Sequence, residues 1–200
     1  MTDEALTAER ILDATEEVLR RFGPAKATIS DVARALGVSH GGVYRYFPSK
    51  ALLRDAVIER WFTLEVNALT EIATRDSPAS ERLRSWFDHL IASKRRKAFE
   101  DPELFATYVE LAAKSREVVK AHIDGLVEQV TQIIADGVVR GEFTTTDPVA
   151  SAWAVFRATS LFQYPEHASR WSDPGIDSAF EGVWSLLLCG LTAHTASAES

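Results

Sequence analysis

Two hundred residues, 46% of them hydrophobic and 26% charged, are enough for one large domain or two small ones with a proper core. The lone cysteine, Cys189, excludes an intrachain disulfide. Apolar runs too short to span a bilayer and an opening without a signal peptide argue against a membrane span and point to a cytoplasmic protein. The net charge of −7 is spread unevenly, because residues 20–60 carry eight basic side chains against three acidic ones, a local excess of +5 that suits phosphate contact.

Helical periodicity runs through the whole chain. Residues 9–22 predict an amphipathic helix with Ile11, Leu12, Thr15, Val18, Leu19 and Phe22 inward, ended by Gly23-Pro24. Thr28 then offers a cap to a short helix whose apolar face is Ile29, Val32, Ala33 and Leu36. Gly37 closes it, Val38 plugs the turn, and Ser39 caps a second short helix over residues 40–47, which Pro48 stops. Two helices joined by a glycine-bearing turn form a helix-turn-helix over about residues 28–47, whose second helix enters the major groove of DNA. A long helix over residues 49–75 follows, lined by Leu52, Leu53, Ala56, Val57, Trp61, Leu64, Leu69 and Ile72, and forms the mechanical link to the rest of the chain.

Ser77-Pro78 starts another helix, with Leu83, Trp86, Phe87, Leu90 and Ile91 inward. It ends in Lys94-Arg95-Arg96-Lys97, read as solvated charge at a helix C-terminus. Asp101-Pro102 and Asp147-Pro148 are both a cap followed by proline at the first helical position. Between them a long helix spans residues 115–139, closed by Gly141; beyond them a helix holds Trp153, Phe156, Leu161 and Phe162. Residues 164–175 read as a loop. The last helix, over residues 176–195, is apolar nearly all round, so one face cannot account for it, and a second subunit is the simplest cover. The fold expected is all-α, about nine helices, with no internal repeat.

Residues 27–53, ATISDVARALGVSHGGVYRYFPSKALL, resemble the DNA-binding segment of the TetR family of bacterial transcriptional regulators. The run Tyr44-Arg45-Tyr46-Phe47-Pro48-Ser49-Lys50 is its most specific part, and the match extends over about residues 5–65. The resemblance implies a DNA-binding domain at 5–65 and an effector-binding and dimerisation domain at 66–200. It also implies a palindromic operator bound by a homodimer, and a small apolar or aromatic effector that releases the protein from DNA. One position departs from the family pattern: Gly42 stands where a small polar or branched residue is usual. The pair Gly41-Gly42 weakens the recognition helix by about 1 kcal/mol per glycine relative to alanine.

On this reading Ser39, Tyr44 and Lys50 meet phosphates, with Thr28 and Ser30 clamping neighbouring ones. His40, Gly41, Gly42 and Arg45 face bases, Arg45 suiting a guanine, and Tyr46 sits half in the core. Trp86, Phe87, Phe105, Tyr108, Trp153 and Phe156 are the expected ligand pocket. Phe180, Val183, Trp184, Leu187 and Leu191 are the expected dimer interface. Nothing in the sequence calls for a cofactor or a metal. His40, His89, His122, His167 and His194 lack metal-ligand spacing, no Gly-rich phosphate loop or G-x-S-x-G elbow occurs, and Cys189 lies in an apolar run. Two alternatives are a ligand-independent architectural DNA-binding protein and, more remotely, a small-molecule enzyme.

Overall fold

The computed structural model describes residues 5–192, and every regular element among them is helical. The elements are α1 (Ala8–Lys26), α2 (Ile29–Leu36), α3 (His40–Tyr46), α4 (Lys50–Ala73), α5 (Ala79–Glu100), α6 (Pro102–Ala112), α7 (Arg116–Val139), α8 (Pro148–Ala158), α9 (Ser160–Gln163) and α10 (Ile176–Leu191). A turn of 3₁₀ helix, Pro165–Arg170, lies where a loop was expected. The end expected for the last helix, residues 193–195, and His194 fall outside the described residues.

The chain forms two compact units. The first takes the residues up to Leu64 together with Ala98–Ala121; the second takes Glu65–Lys97 and the described residues from His122 on. Residues 98–121 pack with the first unit because their apolar side chains find cover there. Leu111 is buried in the first unit's core, and the Tyr108 ring packs 5.8 Å from Trp61 and edge-on to Phe62 at 6.0 Å.

The first unit is built on Ile11, Leu12, Val18, Leu19, Val32, Val43, Leu53, Val57 and Ile58. α1 keeps its helical path until Gly23, whose φ of 70° breaks the ladder one residue before Pro24. Phe22, expected inward, is half-exposed under the Arg21 guanidinium, because the helix breaks immediately after it. In the stretch of α4 that belongs to this unit, Lys50–Leu64, the buried residues are Leu53, Val57, Ile58 and Phe62, while Leu52 and Leu64 face outward.

The second unit has its own core. Trp86, Phe87 and Phe156 are all but fully buried, and their rings pack against one another with centroids 4.9–6.5 Å apart. The Trp86 indole donates to Gln129 Oε1, and Gln129 Nε2 donates to Thr70 Oγ1, both at 2.9 Å, so the indole N–H and both ends of the Gln129 amide are satisfied. Glu142 Oε2 accepts from the backbone N–H groups of Ala79 and Ser80, placing a negative charge at the positive end of α5. Gly137 of α7 allows close packing, since a Cβ there would come within 2.3 Å of the Phe143 ring. The helix after Asp147-Pro148 stops at Ala158, where Thr159 turns its hydroxyl onto the Val155 and Phe156 carbonyls, and α9 restarts beyond it.

Candidate nucleic-acid interface

The sequence-predicted helix-turn-helix forms from α2 and α3. Thr28 and Asp31 make a reciprocal cap on α2: Thr28 Oγ1 accepts from Asp31 N–H, and Asp31 Oδ2 accepts from Thr28 N–H at 3.1 Å. The Thr28 hydroxyl also donates to Asp31 at 2.6 Å, which with Arg34 holds the Asp31 carboxyl below the usual range. The single Thr28 hydroxyl proton is thus committed to the cap rather than turned outward. Gly37, at φ 66°, closes α2, and its N–H and that of Val38 return to the last carbonyls of the helix.

Ser39 Oγ accepts from Gly42 N–H at 3.2 Å and opens α3, leaving its hydroxyl proton available for an outside acceptor. Val43 is fully buried and anchors the helix. His40, Gly41, Tyr44 and Arg45 are exposed, and the Arg45 guanidinium lies 5.2 Å above the Tyr46 ring. Gly42, expected to face bases, is half-buried. A Cβ on it would touch Leu6 at 3.4 Å and Val38 at 3.6 Å. The Tyr46 hydroxyl is spent on the Leu6 carbonyl, which ties the segment before α1 to the recognition helix.

Lys50 donates from Nζ to the Ala27 carbonyl at 2.9 Å, beside Thr28 at the joint between α1 and α2. An ammonium has three donors, so this bond orients Lys50 and leaves two for a phosphate. Its stem lines an apolar cleft of about 270 Å³ walled by Val18, Pro24, Ile29 and Leu53. Ser30 is half-buried.

The local basic excess counted along the sequence is largely neutralised in space. Arg60 bonds Asp13 at 2.7 Å and Glu16 at 2.9 Å, and lies 3.4 Å from Glu9. Arg54 binds Asp55 and Ser115, Arg34 binds Asp31, and Arg20 lies 3.7 Å from Asp101. Sequence counting missed this because Asp13, Glu16 and Asp101 lie outside the 20–60 window. Arg45 on α3 and Lys50 at the start of α4 are both exposed.

The expected effector residues divide. Trp86, Phe87 and Phe156 belong to the second unit's core, with Trp153 half-buried on α8 beneath the Arg157 guanidinium. Phe105 and Tyr108 belong to the first unit, their rings 5.9 Å apart. The expected dimer residues divide as well. Phe180, Trp184 and Leu191 are covered by the chain's own second unit, and Val183 and Leu187 are half-buried. The outward face of α10 carries Gly182, Leu186, Cys189 and Gly190, with Leu186 76% exposed.

Residues 11–57 match the model of the bacterial regulatory proteins of the tetR family, and residues 79–184 match the tetracyclin repressor-like C-terminal domain. An HTH-type transcriptional regulator of Mycobacterium tuberculosis is 29% identical over 163 residues, 80% of this chain and 76% of the relative. Among solved structures, SmeT, the repressor of the Stenotrophomonas maltophilia multidrug efflux pump SmeDEF, superposes with a TM-score of 0.67 at 21% identity, covering 95% of this chain and 92% of SmeT. FadR of Bacillus subtilis, solved with stearoyl-CoA, gives 0.62 at 20% identity over 92% of this chain and 100% of FadR.

Proposed function

We propose, for a chain that belongs to the TetR family of bacterial transcriptional regulators, that two copies bind a palindromic operator and repress transcription until a small effector releases them. The observation that carries this reading is α3. Val43 fixes it to the core, and His40, Gly41, Tyr44 and Arg45 are left exposed on a rigid support. His40, Gly41 and Arg45 meet base edges in the major groove, while Ser39, Tyr44 and Lys50 bind the backbone that sets the register. Residues 5–65 serve as the DNA-binding domain and 66–200 as the effector-binding and dimerisation domain, working in the cytoplasm.

The effector is small and apolar or aromatic. The aromatic cluster of Trp86, Phe87, Phe156 and Trp153 supports this reading, and so does a similar structure, FadR of Bacillus subtilis, solved with stearoyl-CoA. α4 gives Lys50–Leu64 to the first unit and Glu65–Ala73 to the second, so one helix carries a displacement from effector to DNA. A second copy covers the outward face of α10.

Selection from a random duplex library tests the reading. Enriched fragments are expected to hold inverted half-sites with centres whole helical turns apart, about 34–36 Å per turn. Failure to enrich any sequence at low salt overturns it. An architectural protein without an effector predicts binding that no small molecule changes.

A further inference from the structure

Glu65 of α4 is an unusual residue for a helix interior in an acidic protein: its carboxylate is 4% exposed. Lys94 of α5 approaches it, with Nζ 3.6 Å from Glu65 Oε1, and the Lys94 side chain is 9% exposed. At that separation the pair attract without a hydrogen bond, and no hydrogen bond reaches the buried Oε1. The other oxygen, Oε2, accepts from Lys97 Nζ at 3.1 Å, and Lys97 is half-exposed. His122 of α7 is buried beside them. Burial pushes its imidazole down to about 4, and Lys94 adds to that effect, so His122 is neutral near pH 7. The cluster therefore sums to one positive charge, held by a buried lysine with a loosely seated partner.

Lys94 lies on the buried face of α5 with Phe87, Leu90 and Ile91, two turns beyond Phe87. Burial raises the Tyr164 phenol, and Lys94 and Arg157 pull against that rise. The Tyr164 ring is 6.0 Å from Phe156, which continues into Trp86 and Phe87. A buried cation thus stands at one end of an aromatic cluster.

We infer that Lys94 receives the acidic head of an amphipathic effector whose apolar body lies along the aromatic cluster, and that Glu65 is the internal anion this head displaces. The inference rests on the effector-released regulator proposed above. The exchange is inexpensive on both sides. Lys94 trades a 3.6 Å contact for a charge-assisted hydrogen bond, and Glu65 keeps its bond to Lys97, so neither charge is stranded in the interior. A neutral ligand offers Lys94 no anion, and a cationic one adds to a site that is already positive. Glu65 stands on α4, so its release is felt by the helix that also carries Lys50.

The test uses the full chain, a selected operator fragment and two matched pairs of probes, dodecanoate with dodecanol and phenylbutyrate with phenylbutanol. Melting temperature and DNA anisotropy are the readouts. The acids are expected to release DNA at concentrations about tenfold or more below their alcohols, the scale of one hydrogen bond to a charged group. Lys94→Met is expected to erase that preference. Glu65→Gln, which removes the competing anion, is expected to tighten acid binding by about tenfold, and a merely structural ion pair would not produce that gain. It also provides the decisive reading if Lys94→Met fails to fold. Equal potency of acids and alcohols, or unchanged acid affinity in Glu65→Gln, overturns the inference and leaves effector release standing. Operator-bound protein that ignores all four probes overturns the inference together with release by an apolar effector.

Discussion

The Lys50 ammonium donates to the Ala27 carbonyl at 2.9 Å, across the joint where α1 ends and the Thr28 cap begins. A lysine held this way presents its remaining donors in a fixed place, so a phosphate meets it without ordering a free four-carbon chain. It also couples the start of α4 to the start of α2, so the cation and the helix-turn-helix keep one spacing.

Lys50→Ala is therefore expected to weaken binding evenly across sequences and to shallow the slope of log affinity against log salt by about one phosphate contact. Arg45→Ala is expected to relax the preference at one base position per half-site, at a cost of about 1–3 kcal/mol. Anisotropy titrations at several salt concentrations separate the two. A Lys50→Ala protein that changes which base is preferred would reverse the assignment.

Gly42→Ala tests the orientation of α3. The added methyl meets Leu6 and Val38 at 3.4–3.7 Å, ordinary contact distances, and α3 gains about 1 kcal/mol of helix propensity. The melting temperature is expected to rise by about 3 °C for a chain of this size, with base preference unchanged. A changed base preference would put Gly42 on the DNA side of the helix.

How much of this could be read from the chain alone varied with the range of the interaction. The caps at Thr28, Ser39, Asp101 and Asp147 each act within three residues, and all four form hydrogen bonds at the expected helix starts. The buried side of α4 was harder to read. Periodicity favoured Leu52 and Leu64, yet Ile58 is buried and those two are exposed, because α4 passes from one unit's core to the other's and no single stripe serves both. Pairs distant in sequence left no local signal. Arg60 reaches α1 across 44 residues, and Lys97 reaches Glu65 across 32. The expected solvated run at Lys94–Lys97 is instead largely engaged, with Lys94 and Lys97 at Glu65 and Arg95 bonded to Asp177 at 2.6 Å.

The His122 imidazole fixes a pH dependence. Its ordinary value is about 6.5, and burial lowers it to about 4 in the folded protein, so the unfolded chain binds the extra proton first. The stabilising contribution is complete above pH 6.5 and is lost as pH falls toward 4. Between pH 6.5 and 5 the loss amounts to about 2 kcal/mol. Glu65, whose carboxyl is lowered by Lys94 and Lys97 against the cost of burial, adds its own loss only below the ordinary carboxylate range. Denaturant titrations at pH 7 and pH 5 are expected to differ accordingly in the parent protein and much less in His122→Gln, which stays polar and neutral. Equal pH sensitivity in the two proteins would assign the effect elsewhere.

Leu186 tests the assembly. It projects from α10 with 76% of its surface exposed, flanked on the same face by Gly182, Cys189 and Gly190, whereas Phe180 and Trp184 on the other side are already covered. Small residues let two helices approach closely, and a large apolar residue at their centre supplies the burial. A second copy packed here would remove about 100 Å² or more of apolar surface per leucine pair, on the order of 3 kcal/mol. A carboxylate at the same position would be forced to desolvate opposite its own copy. Sedimentation velocity at micromolar concentration is expected to give a dimer for the parent chain and a monomer for Leu186→Glu, with helix content by circular dichroism unchanged. The monomer is also expected to lose affinity for a full palindrome while keeping weak binding to a half-site, since only the coupling of two recognition helices is removed. A dimeric Leu186→Glu protein would move the interface off this face of α10.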